Sequence, residues 1–390
     1  MKIYSGCRQT RRPCVTSPSF TKPTPIAPPK ITALTGAFPF LKAGVPVLAC
    51  LAGFALTAAL ARRALPPAEM PSTVREKLSH LAAHGDEYDA VFVGSSRMQN
   101  HIMPALFDRL AGARGLALKS FNAGIAGMHT PEDAWMLEAI LARRPARLRW
   151  VFLEIDFFPT EMKEDQKGTL RGVYWHDWPR FWQVCRRLTV GKKAGFRDQA
   201  SDFFERGRDL VDHLSAFGEH SSQFGRGAAF FDGWRHPAEP APMRWEKLGE
   251  SGDGWTPTTH TELRDDRTLE LLDVRGGKGK RAPARPEQSD RVTQAVLGES
   301  IAQIRRAGAV PILVIPPRTR SVYFVPSAEN ARRAHVINLC DPLKYPELYE
   351  LKYRVDTSHL NAAGAEVFTR ILAGRFAEIA PSAPQAPASE

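Results

Sequence analysis

Five cysteines in 390 residues are too few and too scattered to staple a domain with disulfides. Cys7 and Cys14 fall in a basic tail and Cys50 in an apolar run, so only Cys185 and Cys340 lie in the body of the chain. Those two either pair, if the body sits outside the cytoplasm, or stand as free thiols. Zinc-ligand spacing is also missing: His101 and the pair His176-Asp177 have no second ligand cluster to match, so no metal site is expected. The formal net charge is +11, yet the chain lacks an aromatic RNA-binding motif and a basic recognition helix, which argues against nucleic acid as a partner. Acidic residues are absent ahead of the first long apolar run, where Lys2, Arg8, Arg11, Arg12, Lys22, Lys30 and Lys42 stand. No internal repeat is visible, and one segment only is long and apolar enough to cross a bilayer.

That segment is Ala43 to Ala61, uncharged throughout and bracketed by Lys42 and Arg62-Arg63. At about 1.5 Å per residue it spans about 28 Å, close to the hydrocarbon thickness of a membrane. It is read as a single transmembrane helix at 43–61, preceded by a disordered basic tail at 1–42 and followed by a linker with a short amphipathic helix at 62–85. The basic N-terminal flank places that end in the cytoplasm and exports the body, although Arg62-Arg63 weakens the asymmetry. The expected location is therefore the inner (cytoplasmic) membrane, single-pass, with the body periplasmic. A cleaved signal peptide is the rival reading, because Ala59-Leu60-Ala61 has the small-x-small form of a cleavage site. The basic region before it is unusually long for one, so an uncleaved anchor is preferred.

With 43% hydrophobic residues the remainder has ample material for a core. An α/β rhythm begins at Asp89-Ala90-Val91-Phe92-Val93-Gly94-Ser95-Ser96-Arg97, a short apolar strand ending in a small-residue turn. Met98 to Leu110 then reads as a helix, with Met103, Leu106, Phe107 and Leu110 at helical spacing. A second strand ends at Leu118-Lys119-Ser120-Phe121 and runs into Asn122-Ala123-Gly124-Ile125-Ala126-Gly127. The next helix is expected to have Thr130 as its cap and Pro131 at its first position, and to run through Leu141. Leu148 to Ile155 is almost continuously apolar, as in a central parallel strand covered on both faces, and ends at Asp156. From 157 to 287 the rhythm is lost; this stretch is read as an insertion or lid, partly disordered around Gly276 to Pro286. It resumes with a helix from Gln288 to Ala307, strands Val310–Ile315 and Val336–Leu339, and a last helix, Ala362 to Ile379. A floppy tail, 381–390, follows. The expected fold class is α/β, a three-layer α/β/α sheet domain over 86–380.

A serine at the carboxyl edge of the first strand sits where open α/β sheets bind ligands, beside helix amides that can stabilise negative charge. The plainer role of such a serine is to cap a helix. Before the last helix stands Val355-Asp356-Thr357-Ser358-His359-Leu360-Asn361. There a carboxylate three residues from an imidazole can fix its tautomer and leave the other nitrogen free for a hydroxyl proton. Nucleophile early, acid and base together late, and a parallel sheet between them make one coherent layout.

On these motifs the sequence resembles the SGNH or GDSL-type hydrolases. The match runs through Gly94-Ser95-Ser96, through Asn122 to Gly127, and through Asp356-Thr357-Ser358-His359, over about Asp89–Asp156 and Gln288–Ile379. The resemblance implies a flavodoxin-like fold, Ser96 as nucleophile, His359 as general base and Asp356 as its orienting partner. It also implies that the backbone amides of Ser96 and Gly127 form the oxyanion hole. Ser95, Arg97, Asn122, His129 and Asp156 are expected to line the site, and no cofactor is called for. One departure stands out: the family's third-motif asparagine is replaced, because Leu153-Glu154-Ile155-Asp156 ends in an acid. A carboxylate repels an oxyanion, so Asp156 is expected to hold a loop or Arg97 instead. Gly94-Ser95-Ser96-Arg97 looks like the membrane-anchored members, which include the D-alanine transfer protein of teichoic acid synthesis and alginate O-acetyltransferases. The implied activity is that of a serine esterase or O-acyltransferase on acyl esters of envelope carbohydrate. The rivals are a tethered lipase or thioesterase, and a degenerate domain that serves a membrane-bound O-acyltransferase as scaffold. Two further groups are open to either reading: the aromatic cluster Tyr174 to Trp182 stacks on sugars or forms the insertion's core, and Arg318 and Arg320 face the cleft or solvent.

Overall fold

The computed structural model describes residues 45–50, 52–54, 56–57, 59–60, 70–190, 196–222, 248–258, 285–318 and 322–380. Of the predicted membrane span 43–61, the described residues are helical, and Val45, Val47, Leu48, Phe54, Leu56 and Leu60 are exposed. Among the described residues no helix is long and apolar enough to cross a membrane. The rest of that span, the tail 1–42, residues 61–69, Gly276 to Ala284, Arg320 and the tail 381–390 lie outside the described residues. Contacts divide the chain into two units, Met1–Gly53 and Phe54–Glu390, and the elements below belong to the second.

The class is α/β, built on a five-stranded parallel sheet. Its strands are β1 (Ala90–Val93), β2 (Ser120–Asn122), β3 (Trp150–Glu154), β5 (Val310–Ile315) and β7 (His335–Asn338), in the order β2-β1-β3-β5-β7. Residue alternation sends successive side chains to opposite faces. Val91, Val93, Val151, Leu153, Leu313 and Ile315 join one buried cluster; Ala90, Phe92, Trp150, Phe152, Ile312 and Val314 join the other. The first cluster is covered by α1 (Ser72–His84), α4 (Glu132–Leu141) and α8 (Arg291–Arg306), the second by α2 (Ser96–His101), α3 (Pro104–Gly112) and α10 (Ala362–Ile379). Strands buried on both faces have no solvent side to make polar, which is why they read as unbroken apolar runs.

Between β3 and α8 the described parts of the insertion are α5 (Leu170–Val173), α6 (Trp178–Leu188), α7 (Phe196–Ser222) and the segment 248–258. Strand β4 (Arg285–Gln288) pairs in parallel with β6 (Val322–Val325), a second small sheet that the sequence pattern did not predict. Helix α8 consequently starts at Arg291, capped by the Asp290 carboxylate, rather than at Gln288. The last described helix before β7 is α9 (Ala328–Arg333).

Three local expectations are corrected. The single helix over Met98–Leu110 breaks after His101, because Pro104 lacks an N–H and drives Met103 out of the helical region, to φ −98° and ψ 98°. Thr130 does not cap α4; its hydroxyl donates to the Asp133 carboxylate, and the helix starts at Glu132, one residue after the expected Pro131. Part of the predicted linker is core: α1 buries Val74, Leu78 and Leu81 at helical spacing.

Lys77 on that helix is wholly buried, and its ammonium donates to the carbonyls of Asn122, Gly124 and Gly254 at 2.9, 2.8 and 2.7 Å. Lys77→Met takes the donor from three carbonyls at a buried position. The expected loss is about 3 kcal/mol or more of unfolding free energy, read from urea denaturation. A variant within about 0.5 kcal/mol of the parent would show that water replaces the ammonium.

Candidate active site

The chain leaves β1, pairs β2 on one side and β3 on the other, so the crevice at the carboxyl end of β1 is a topological switch point. Ser96 is the first residue of α2 in that crevice, and Ser95 is its N-cap, accepting from the Arg97 amide at 3.3 Å. Gly94 is required at the bend: an added Cβ would lie 2.4 Å from Met98 Cγ and 2.5 Å from Glu154 Cβ. The two hydroxyls thus divide the work, with Ser95 tied to the helix start and Ser96 turned to the cleft.

Ser96 Oγ lies 2.7 Å from His359 Nε2, across 263 positions of sequence. His359 Nδ1 lies 2.8 Å from Asp356 Oδ2, and Asp356 Oδ1 accepts from the amides of Ser358 and His359 at 2.6 and 2.8 Å. Burial opposes the Asp356 charge, but the His359 hydrogen bond and charge and the two amides outweigh it and hold the carboxyl well below the usual range. Two residues that sequence reasoning left aside support this turn. Arg354, wholly buried, donates to the carbonyls of Leu348, Asp356 and Thr357 at 2.9 to 3.1 Å. His101, also buried, accepts the Leu360 amide on Nε2 at 3.0 Å, its ring 6.2 Å from that of His359. Burial first, then the neighbouring cations, pushes His101 well below the ordinary histidine range, so it is neutral. A lone arginine five residues before the candidate histidine carries no distinctive signal, and a lone histidine on a helix carries as little.

The Ser96 amide opens α2 and has no intrahelical acceptor, so it remains available to a ligand oxygen. The Gly124–Gly127 loop lies against the first turn of the same helix. Gln99 Oε1 accepts the Ala126 amide at 2.6 Å, and the Ile125 amide donates to the Gly94 carbonyl at 2.9 Å. Gly124 admits no side chain, since its Cβ would meet the Gln99 amide at 2.5 Å, and Gly127 has φ +74°. Asn122, expected to line the site, is instead wholly buried beneath it. Its Nδ2 donates to the carbonyls of Met98 and Ile102, both at 2.8 Å, at the end of α2.

Asp156 is the centre of a buried cation cluster. Its Oδ2 accepts from Arg97 Nη2 at 2.5 Å and lies 3.0 Å from His129 Nδ1; its Oδ1 accepts from Arg318 Nη2 at 2.5 Å and the Phe157 amide at 2.7 Å. Burial would raise its pKa, but Arg97, His129 and Arg318 hold it well below the carboxylate range. Arg318 is therefore spent on Asp156 and buried, and Arg320 lies outside the described residues. Arg97 also pairs with Glu154 at 2.6 Å, whose other oxygen accepts the Ser95 amide at 2.7 Å. Glu154 was missed in the sequence because it reads only as one polar position within the apolar strand Leu148–Ile155.

Elsewhere, Cys185 and Cys340 are free thiols. His176 meets His213 of α7 at 2.7 Å, and Asp177 caps α6. Of the aromatic cluster, Tyr174, Trp175 and Phe181 are buried, while Trp178 and Trp182 are exposed. No family model matches the chain, and no curated protein matches its sequence. Chemically, a hydroxyl, an imidazole and a carboxylate joined in this order can pass a proton from oxygen to nitrogen as the oxygen attacks an electrophile, with the carboxylate stabilising the imidazolium.

Proposed function

We propose that this chain is a serine hydrolase in the broad sense, forming an acyl-enzyme on Ser96. More particularly, we propose a membrane-anchored esterase or O-acyltransferase of the SGNH/GDSL type, acting on acyl esters of cell-envelope carbohydrate. The observation that carries the reading is the hydrogen-bonded chain Ser96–His359–Asp356, which joins residues 263 positions apart in sequence. The strand order, a flavodoxin-like 2-1-3-4-5 for the five strands of the main sheet, is the one that resemblance implies. In the first step Ser96 Oγ attacks the ester carbonyl and its proton goes to His359 Nε2. The amides of Ser96 and Gly127 receive the oxyanion, and collapse expels the alcohol, which takes the proton from His359. Water or a sugar hydroxyl then attacks the acyl-enzyme by the same steps, and Ser96 is restored.

The rival is a noncatalytic scaffold for a membrane-bound acyltransferase, and Asp156 favours it: the position expected to donate to an oxyanion is a carboxylate already saturated by two arginines. Labelling of the full-length protein by a fluorophosphonate separates the two. The wild type is expected to label stoichiometrically and Ser96→Ala not at all; a folded wild type that resists the probe leaves the scaffold reading standing. The anchored, exported topology is checked by a C-terminal reporter active only in the periplasm, which is expected to give signal.

A further inference from the structure

A cavity of about 400 Å³ opens beside Gly127, walled by Phe157 and Pro159 after β3 and by Met162, Trp175 and His213 of the insertion. Its accessible wall is mainly apolar. The volume falls in the range of about 300–1,000 Å³ usual for small-molecule sites. At about 30 Å³ for a water-sized group, an acetyl would leave most of it empty.

Three features define what fills it. The lining carries Lys163, whose Nζ lies 3.7 Å from the Cβ position of Gly127, and three acids, of which Glu132 is paired with Arg171 at 3.0 Å and Glu164 with Lys167 at 2.6 Å; Lys163 then stands against Glu161, with no cationic excess to select an anion. Of its aromatic rings, Trp175 is buried, its indole stacked on His176 at 3.7 Å, and Phe157 is half-buried with a tilted contact to His129 at 5.2 Å. A sugar ring that binds by stacking therefore finds little aromatic face here, whereas a flexible chain needs only apolar contact. Finally, the cavity begins at the glycine whose amide is assigned to the ester carbonyl oxygen. An acyl carbonyl seated on the amides of Ser96 and Gly127 would have its chain next to that opening.

We infer that this cavity is an acyl-chain pocket for uncharged groups of about six to eight carbons, and that the insertion, not the sheet, sets the chain-length preference. The inference rests on the acyl-enzyme reading above and deepens it. It makes acetyl a poor substrate and a medium-length acyl ester a good one.

The test is hydrolysis of 4-nitrophenyl acetate, butyrate, hexanoate and octanoate by the full-length protein in detergent, with Ser96→Ala as the blank. The leaving group is constant, so the ratio of kcat/KM values reports the acyl side. Hexanoate is expected to exceed acetate by about tenfold or more, since each well-packed methylene changes selectivity appreciably. Gln166→Trp, at the cavity wall, is expected to bring that ratio down to one or below. Ser96-dependent hydrolysis with acetate preferred, or a ratio unchanged by Gln166→Trp, overturns the pocket and leaves the acyl-enzyme reading intact. Absence of Ser96-dependent hydrolysis of every ester overturns both.

Discussion

His359→Ala is expected to lower kcat for ester hydrolysis by on the order of 10⁴- to 10⁶-fold, with little change in KM. The imidazole is the sole base within hydrogen-bond distance of Ser96 Oγ among the described residues, at 2.7 Å, and an alkoxide does not form at neutral pH without one. Ser96→Ala is expected to cost about as much, and the double variant no more than either single one, because the two groups act as a unit. Asp356→Asn should cost about 10⁴-fold by presenting the wrong hydrogen-bonding partner to Nδ1. Stopped assays on folded, purified variants read all of these. Additive losses in the double variant would show that Ser96 and His359 do not share a proton, and the assignment would fail. The Asp356 charge has a stability consequence with a definite sign. Its folded pKa lies below the unfolded value near 3.9, so its contribution is complete above that value and is lost as pH falls through the folded one. Near neutral pH the contribution of this group is therefore fully present and does not vary with pH.

Asp156→Ala is expected to lower unfolding free energy by about 3–5 kcal/mol, the largest stability effect of any single surface-accessible or buried acid considered above. It removes the partner of Arg318 and one of two partners of Arg97, leaving guanidinium charge in a site where Asp156 itself is 5% exposed. Asp156→Asn puts a neutral amide at this position, yet it should also destabilise, by about 2–4 kcal/mol, without raising kcat. The amide can satisfy at most part of the Arg97 and Arg318 geometry, and its one oxygen and its nitrogen face those guanidiniums rather than the cleft. Denaturation curves and initial rates on the same preparation decide it. A faster Asp156→Asn enzyme would mean that this side chain reaches the oxyanion after all. As with Asp356, the Asp156 carboxyl is depressed, so its stabilisation is lost only as pH falls below the ordinary carboxylate range.

Much of the scaffold was legible because burial on both faces of a parallel sheet leaves apolar runs such as Val151–Leu153 and Val310–Ile315, and turns leave glycines and prolines. The break at Pro104 was legible too, since a missing N–H acts locally, and the single-helix expectation failed by weighing apolar spacing above it. Less legible were β4 and β6, whose pairing joins residues 285–288 to 322–325 and depends on contacts that no local pattern encodes.

The sequence by itself determined the α/β class, the strands of the main sheet, and that a Ser95-Ser96 turn follows the first strand while an Asp356–His359 pair precedes the last helix. Each of those follows from patterns within a few residues, where backbone sterics and solvent exposure act. Only the tertiary structure decided that Asn122 is a buried helix brace, that Asp156 is saturated by Arg97 and Arg318, and that Lys77, Arg354 and Glu154 hold the site together. Those roles are fixed by which buried charges and carbonyls meet across tens to hundreds of residues. The free-energy cost of leaving them unpaired has no signature in a one-dimensional pattern.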